Sequence, residues 1–377
     1  MRRSTVSVGV AIGAGLLVAG VAAGQVAAIH GIGDLPGGAY SSSLNRISTD
    51  GRVAVGRSTG TAGVEAVRWT LGGGLTPLGD LPGGTFSSQA YDASLDGQVI
   101  VGTGQTVAGG DAVTRAVRWG GATAPEDLGT LRGSLGWSAA RGVSASGHVV
   151  VGSAENPARF EEAFRWTRER GMEGLGILPG ASSSVAEAVS GDGSVVVGLS
   201  SFRGFRWTAE TGMQLITPQA NASFVRAARA VSADGRFIVG YSDLSTIPGG
   251  REAFLSTPDG TIGLGWLPFG GTAPFSEALG VSGDGRFVVG YSSNIAFLWD
   301  ASHGMRRLSD ALLADHGLNT SGWSLGRATS ISADGMVIGG IGLNPQGRQT
   351  GWVVVLPAPG VAGLLLAGAA AGVRRRR

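Results

Sequence analysis

The chain has 377 residues, of which 68 are Gly, about 18% against a usual share of roughly 7%, and none is Cys. An apolar content of 43% with a net charge of +2 excludes a disordered polymer, and the lack of Cys excludes disulfides and Cys-based zinc sites. All 29 basic residues are Arg, and six of them lie at the two termini, so acidic residues outnumber Arg in between. We therefore expect no nucleic-acid-binding surface.

Residues 1–28 have the pattern of a secretory signal peptide. Arg2 and Arg3 precede an apolar, Gly- and Ala-rich stretch at 8–23, and small residues then offer cleavage after Gly24 or after Ala28. The alternative is an uncleaved membrane anchor. The short apolar stretch favours a cleaved signal.

One short motif recurs seven times within residues 29–356. It reads Val-Ser-x-Asp-Gly-x-Val-x-Val-Gly, and its Asp position is occupied by Asp50, Asp96, Ser146, Asp192, Asp234, Asp284 and Asp334. The average spacing is about 47 residues, which is typical of a repeat built from one supersecondary unit.

Each repeat predicts four strands, which we call a, b, c and d. Asp-Gly between two apolar runs predicts a hairpin with a type I′ turn that joins strands a and b. Strand c follows with an Ala-Phe-Arg-Trp-like run, as at 163–166, and strand d contains a Leu-Gly pair such as Leu175-Gly176. The Trp residues of strand c are predicted to be core: Trp69, Trp119, Trp166, Trp207 and Trp299.

Seven units of four short antiparallel strands predict an all-β, seven-bladed β-propeller. A β-helix or stacked solenoid is the alternative. The chain supports a closed ring because a lone strand d, placed at Ile32–Gly38, precedes the first complete repeat, and the last repeat has no strand d. Pairing of this N-terminal strand with the C-terminal blade would remove the open sheet edges.

The repeats resemble the HAF repeat of bacterial extracellular proteins. The matching segments are 162–166, 252–255 and 295–299, which read Glu-Ala-Phe-Arg-Trp, Glu-Ala-Phe-Leu and Ile-Ala-Phe-Leu-Trp, without the His that gives the repeat its name. The resemblance covers residues 31–356. It implies an extracellular repeat protein and no particular biochemical activity.

The C-terminal segment 357–377 has three ordered parts. It contains Pro357, Ala358 and Pro359, then an apolar stretch at 360–373, then Arg374, Arg375, Arg376 and Arg377. It resembles the PEP-CTERM sorting signal, with Ala358 in place of the Glu of that family. The resemblance implies transient contact with the inner membrane, processing by an exosortase-type enzyme, and delivery to the cell surface or extracellular matrix. A plain tail anchor is the alternative.

Residues for chemistry are sparse in the repeats. The four His residues (His30, His148, His303 and His316) do not have metal-ligand spacing, and turn formation accounts for the Asp-Gly pairs without a metal. Glu126-Asp127 and Glu161-Glu162 are neighbours on predicted strands and would point to opposite faces. We therefore expect no catalytic residue, no metal site and no cofactor.

An aromatic residue precedes the Asp-Gly turn by 9 to 11 residues in six of the repeats. These residues are Tyr40, Phe86, Trp137, Phe224, Phe275 and Trp323. They would lie where the d–a loop enters strand a, near the mouth of the channel. Two interpretations remain: a ligand-binding ring of aromatic side chains, or rings packed between neighbouring blades.

The sequence favours an exported, non-enzymatic propeller that binds or scaffolds polysaccharide or surface proteins. The alternative is a secreted propeller hydrolase or lyase acting on polysaccharide, which needs convergent catalytic groups at the channel. A cluster of Tyr, Arg and Glu side chains in one pocket would favour that enzyme.

Overall fold

Seven four-stranded antiparallel sheets make up a β-propeller. The computed structural model describes residues 26–121, 124–268 and 273–357, and within these ranges it contains 28 strands and one helix. The seven-bladed fold predicted from the repeat is confirmed. Within the described ranges, no helix has the length and apolarity required to span a membrane.

The four strands of each blade are hydrogen-bonded in the order a, b, c, d. The a strands are β2 (Gly37–Ile47), β6 (Gln89–Ala93), β10 (Ser138–Val143), β14 (Ser184–Val189), β18 (Ala222–Val231), β22 (Ser276–Val281) and β26 (Ser324–Ile331). The b strands are β3 (Val53–Gly60), β7 (Val99–Ala108), β11 (Val150–Glu155), β15 (Val196–Ser200), β19 (Ile238–Leu244), β23 (Val288–Ser292) and β27 (Val337–Leu343).

Strand d is the shortest strand of each blade. The c strands are β4 (Val64–Thr70), β8 (Asp111–Gly120), β12 (Glu161–Thr167), β16 (Arg203–Thr208), β20 (Arg251–Thr257), β24 (Ile295–Asp300) and β28 (Gln349–Val355). The d strands are β5 (Gly74–Pro77), β9 (Glu126–Asp127), β13 (Gly171–Gly174), β17 (Gly212–Leu215), β21 (Gly260–Gly263), β25 (Gly304–Arg307) and β1 (Ala28–Gly31).

The ring closes through the N-terminal strand, as predicted. β1 pairs antiparallel with β28, with Ala28 opposite Val355 and Gly31 opposite Trp352. The position of the strand was wrong: it precedes Ile32–Gly38. In the four other blades with a Leu-Gly pair, strand d also lies before that pair, because the Gly has a positive φ that ends the strand, such as 85° at Gly176.

A Glu side chain fixes the end of strand d in three blades. Glu65, Glu162 and Glu252 stand where the resembling repeat has His, and each carboxylate accepts the backbone N–H of the Gly after strand d, at 3.0, 3.0 and 2.8 Å. Of the five strand c Trp residues predicted to be core, four are buried and Trp207 is half-buried.

We name the two ends of the channel by their connections. The turn rim carries the a–b (Asp-Gly) turns and the c–d turns, and the loop rim carries the b–c and d–a loops. Strand a of each blade contacts strand a of the next around a closed cycle, so the a strands line the channel.

The Asp-Gly turn is not type I′. Only its Gly has a positive φ, 78° at Gly193, and the Gly193 N–H donates to the Ser190 carbonyl, as in a type I turn followed by a left-handed residue. Asp192 adopts ordinary backbone angles because its carboxylate organises the turn, accepting the Ser190 hydroxyl at 2.6 Å and the Ser194 N–H at 3.0 Å.

These turns also join the blades. In five blades, the residue between Ser and Asp donates its N–H to the equivalent carbonyl of the next blade, for example Leu95 to Ala145 at 3.0 Å and Ala145 to Gly191 at 2.9 Å. Gly97 packs against Val53 of the preceding blade so closely that a Cβ there would overlap the Val side chain. The turn Gly is therefore required both by its backbone angle and by the blade contact.

One element was not predicted. Helix α1 (Leu308–His316) leaves strand d of the sixth blade and buries Leu308, Ala311 and Leu312 in the core shared by the sixth and last blades. It ends at Gly317, which has a φ of 66°. The sequence signal was present in the apolar spacing of 308, 311 and 312.

Candidate functional site at the loop-rim end of the channel

A β-bulge interrupts strand a at the same place in every blade of the described chain. The pairing with strand b skips one residue there, and the skipped residues are Asn45, Tyr91, Arg141, Glu187, Arg229, Leu279 and Thr329. Bulges re-aim side chains. These seven side chains vary in charge and size although their backbone position is constant.

The bulge explains the Gly that follows the Val residues of strand b. A Cβ on Gly290 would overlap the Glu277 carbonyl, because the bulged strand a approaches strand b closely at this point. An isolated Gly inside a strand is itself a signal of a bulge. The sequence therefore contained this signal, and our sequence analysis missed it.

Three bulged residues of successive blades form a chain of ion pairs. Glu187 lies 3.6 Å from Arg141 and 2.8 Å from Arg229, and Arg229 lies 2.7 Å from Glu277. The Tyr291 hydroxyl donates to Glu277 at 2.8 Å. We call these five residues, together with Arg327, the channel network.

Arg327 completes the network at its exposed side. Its guanidinium lies 4.4 Å from the centre of the Tyr291 ring, which is a cation–π distance. Among the described residues, no carboxylate is within ion-pair distance of Arg327. The Glu277 side chain, in contrast, is only 8% exposed. Ion pairs therefore hold the buried part of the network around Glu277. Arg327, which has no carboxylate partner among the described residues, faces solvent.

The pKa shifts of Tyr291 and Arg229 keep both groups protonated near neutral pH. Burial raises the pKa of Tyr291 well above its usual range, and the neighbouring Glu277 carboxylate raises it further. Burial lowers the pKa of Arg229, but the carboxylates of Glu187 and Glu277 more than compensate and raise it above its ordinary value. Near neutral pH the phenol therefore keeps its proton and Arg229 keeps its charge.

The six predicted aromatic residues do not form one ring of contacts. Phe275 packs against Tyr241 and Tyr291, with ring centres 6.4 and 5.4 Å apart, so it adjoins the channel network. Tyr40 lies in β2 beside Arg348, whose guanidinium is 5.0 Å from its ring centre.

The other four predicted aromatic residues lie at separate places. Trp323 packs against the core of the last blade, and Phe224 lies in β18. Phe86 and Trp137 are half-buried in the d–a loops. The ligand-binding role of all six remains a prediction.

The narrow, turn-rim end of the channel has different chemistry. A cavity of about 80 Å³ there is lined by residues of all seven blades, mostly small or apolar. Its charged pair is Arg46 and Asp92, 3.5 Å apart. Burial raises the pKa of Asp92, against the lowering effect of Arg46.

The remaining candidate groups of the sequence fall outside the channel. His303 lies on the c–d turn with its Nδ1 2.9 Å from Asp300, and Arg306 connects Asp300 to Asp315 of α1. His148 is exposed on an Asp-Gly-type turn. Within the described ranges, no three acidic, His or Cys side chains are grouped so as to hold a metal ion.

Of the predicted sorting residues, Pro357 is the last described residue. Ala358, Pro359, Arg374, Arg375, Arg376 and Arg377 lie outside the described residues, as do residues 1–25 of the predicted signal peptide.

No protein-family model and no curated protein sequence matches the chain. Among solved structures, TolB from Acinetobacter baumannii is 13% identical with a TM-score of 0.41, over 84% of this chain and 63% of TolB. An oligogalacturonate lyase in complex with manganese is 14% identical with a TM-score of 0.47, over 83% of this chain and 89% of the lyase.

A puromycin-hydrolyzing peptidase of Mycobacterium tuberculosis is 16% identical with a TM-score of 0.48, over 85% of this chain and 52% of the peptidase. All three scores are below 0.5. None of the three activities is therefore transferred to this chain.

Proposed function

We propose that this chain is an exported, non-enzymatic binding module whose ligand contacts the loop rim at the mouth of the channel. The observation that carries the proposal is the channel network. Half-buried ion pairs there fix Glu277, which accepts the Tyr291 hydroxyl, and Arg327 lies over the Tyr291 ring with no carboxylate partner among the described residues. A preorganised, unpaired guanidinium is suited to binding an anionic group.

A hydrolase or lyase is the second candidate, because Tyr, Arg and Glu side chains do meet in the network. Proton transfer near neutral pH needs a group whose pKa lies close to that pH. The pKa of Tyr291 moves away from neutrality, and Glu277 is already engaged by both Arg229 and the Tyr291 hydroxyl. These contacts favour binding over catalysis.

A glycan array probed with the purified full-length protein tests the binding role. We expect at least one acidic glycan to bind, and Arg327→Gln to lower its affinity by about tenfold, the scale of a lost charge-assisted contact. Release of shortened or unsaturated product from a bound glycan, abolished by Glu277→Gln, would instead establish the enzyme.

For export, we propose cleavage of the N-terminal signal after Gly24. Ala27 is 8% exposed and Ala28 is the first residue of β1, so cleavage after Ala28 would remove part of the strand that closes the ring. N-terminal sequencing of the protein from native cells tests this position. A mature chain that starts at Ile29 would contradict it.

For the tail, the likeness of 357–377 to the PEP-CTERM signal supports processing by an exosortase-type enzyme and release to the cell surface or matrix. Mass spectrometry of the surface fraction should then find no peptide that contains residues 364–366. Recovery of mature surface protein with an intact Arg377 would show that the tail is only an anchor.

A further inference from the structure

A second candidate site lies on the loop rim between the fourth and fifth blades. A groove of about 640 Å³ is bordered by the b–c turn of the fourth blade at 201–202, by Leu215 at the end of β17, and by Phe224 and Arg226 of β18. Its residues are distinct from the channel network. Arg226 pairs with Asp243 at 2.6 Å, and Asp243 lies 3.5 Å from Arg251. The Arg251 guanidinium is 5.9 Å from the centre of the Phe275 ring, which packs beside Tyr291 of the network.

The turn that carries Phe202 is strained. Ser201 and Phe202 have φ values of 41° and 66°, as a type I′ turn requires. The equivalent turn of the sixth blade has Ser293 and Asn294 at 49° and 64°, and Asn tolerates this conformation well. A bulky aromatic residue rarely adopts it.

Packing does not account for Phe202. The residue is 60% exposed, and the neighbouring Leu215 is 51% exposed. Strained residues that the fold does not need are concentrated at functional sites. The exposed ring therefore points to a ligand.

Two arginines stack on the two Phe rings of the groove. Arg226 lies 4.9 Å from the Phe202 ring centre and Arg203 lies 5.1 Å from that of Phe224. Arg203 is exposed and, among the described residues, has no carboxylate within ion-pair distance. Stacking orders a guanidinium while its N–H edge stays free for a carboxylate.

We infer that this groove binds an acidic polysaccharide through its uronic-acid units. The apolar face of a sugar ring would pack on Phe202, its carboxylate would pair with Arg203, and its hydroxyls would bond to Ser201 and Ser182, whose Oγ atoms are 3.3 Å apart. A shallow groove with two rings, one guanidinium free of a carboxylate among the described residues, and hydroxyls fits a sugar acid better than a peptide, which needs deep pockets for its anchor side chains.

Calorimetry of the full-length protein with alginate tests the inference. Phe202→Asn copies the sixth-blade turn, so it should fold at least as well as the parent and bind alginate about tenfold more weakly. Arg203→Gln should have a similar effect. Phe160→Ala is the matched control, since Phe160 is a 51% exposed ring in the b–c loop of the third blade, and should leave affinity unchanged.

Two further probes identify the ligand chemistry. The propylene-glycol ester of alginate keeps the sugar and removes the charge, and it should bind about tenfold more weakly than alginate. Poly-glutamate should not compete. Binding of poly-glutamate in place of alginate would make the groove a peptide site and overturn the inference, as would no binding of alginate to the parent.

The channel mouth is separated from the groove by comparing Arg327→Gln with Phe202→Asn. Alginate seated in the groove should lose more affinity in Phe202→Asn than in Arg327→Gln. Loss of alginate binding in Arg327→Gln with full binding in Phe202→Asn would place the ligand in the mouth. That result would overturn the groove while supporting the binding module. If alginate binding depends on Phe202 and Arg327→Gln weakens binding of no glycan, the groove is supported and the binding role of the channel mouth is overturned.

Discussion

The two rims of the ring are built from the same repeat and differ in what they hold constant. At the turn rim, Ser, Asp and Gly recur; the Ser and Asp side chains organise each turn, and backbone hydrogen bonds of the turn join one blade to the next. Inside strand a, the bulge recurs but its side chain changes from blade to blade. Towards the loop rim, the guanidinium groups of Arg203 and Arg327 have no carboxylate within ion-pair distance among the described residues. One end maintains the ring, and we propose that the other end recognises a ligand.

Deletion of Ala28–Gly31 should have the largest effect. It removes β1, exposes the β28 edge and the buried Trp352 opposite Gly31, and leaves both rims on an open ring. We expect a loss of at least about 4 kcal/mol from several backbone hydrogen bonds and buried side chains. Urea unfolding measures it. A chain that lacks only residues 361–377 is the control, and equal stability of the two would refute the closure.

Within the loop rim, Arg229 and Arg327 should behave oppositely. Arg229→Met leaves two carboxylates without their guanidinium, one of them on the nearly buried Glu277, and should cost about 2–4 kcal/mol. Arg327→Gln changes an exposed side chain and should stay within about 0.5 kcal/mol of the parent. Chemical denaturation distinguishes them. A stable Arg229→Met protein would show that the network does not hold the rim.

The turn rim can be probed at two repeats, one with Asp192 at the turn and one with Ser146 in place of Asp. Asp192→Asn should cost about 1 kcal/mol through weakened turn hydrogen bonds, and Ser146→Asp should gain a similar amount or less. The Ser190 hydroxyl and the Ser194 N–H lower the pKa of Asp192 below its unfolded value.

The contribution of the Asp192 carboxylate is therefore present above the unfolded pKa and is lost as pH falls through the lower folded pKa. Thermal unfolding of the parent and of Asp192→Asn should show different stabilities at pH 7 and similar stabilities in acid. A difference that is the same at both pH values would contradict this assignment.

The turn that carries Phe202 should show a small gain in stability. Phe202→Asn relieves a bulky residue of a left-handed conformation and should stabilise the fold by about 0.5–1 kcal/mol. Differential scanning calorimetry of the parent and of Phe202→Asn measures the gain. The variant copies the turn of the sixth blade, where Ser293 and Asn294 occupy the same positions. A destabilised variant would mean that Phe202 packs for structure.

The period, the Asp-Gly turns and the unpaired end strand were sufficient to predict the ring, because they reflect local turn chemistry repeated seven times. The strand limits were less accurate, since the Gly of Leu-Gly was assigned to strand d although its positive φ ends that strand.

The channel network could not be predicted in the same way. A one-residue bulge decides which side chain of strand a is re-aimed, and ion pairs such as Arg229 with Glu277 join residues 48 positions apart. The Gly in strand b was the available signal for the bulge. No local pattern indicates which charges meet across blades.

The difference between the rims is tested most directly by removing equal charge from each of them. Alginate affinity of the double variant Arg203→Gln/Arg327→Gln is compared with that of Arg52→Gln/Arg236→Gln, which changes two exposed arginines of the turn rim. At about 0.15 M salt, which screens long-range attraction, the loop-rim variant should lose about tenfold and the turn-rim variant less than about twofold. Equal losses, or a larger loss at the turn rim, would contradict the account.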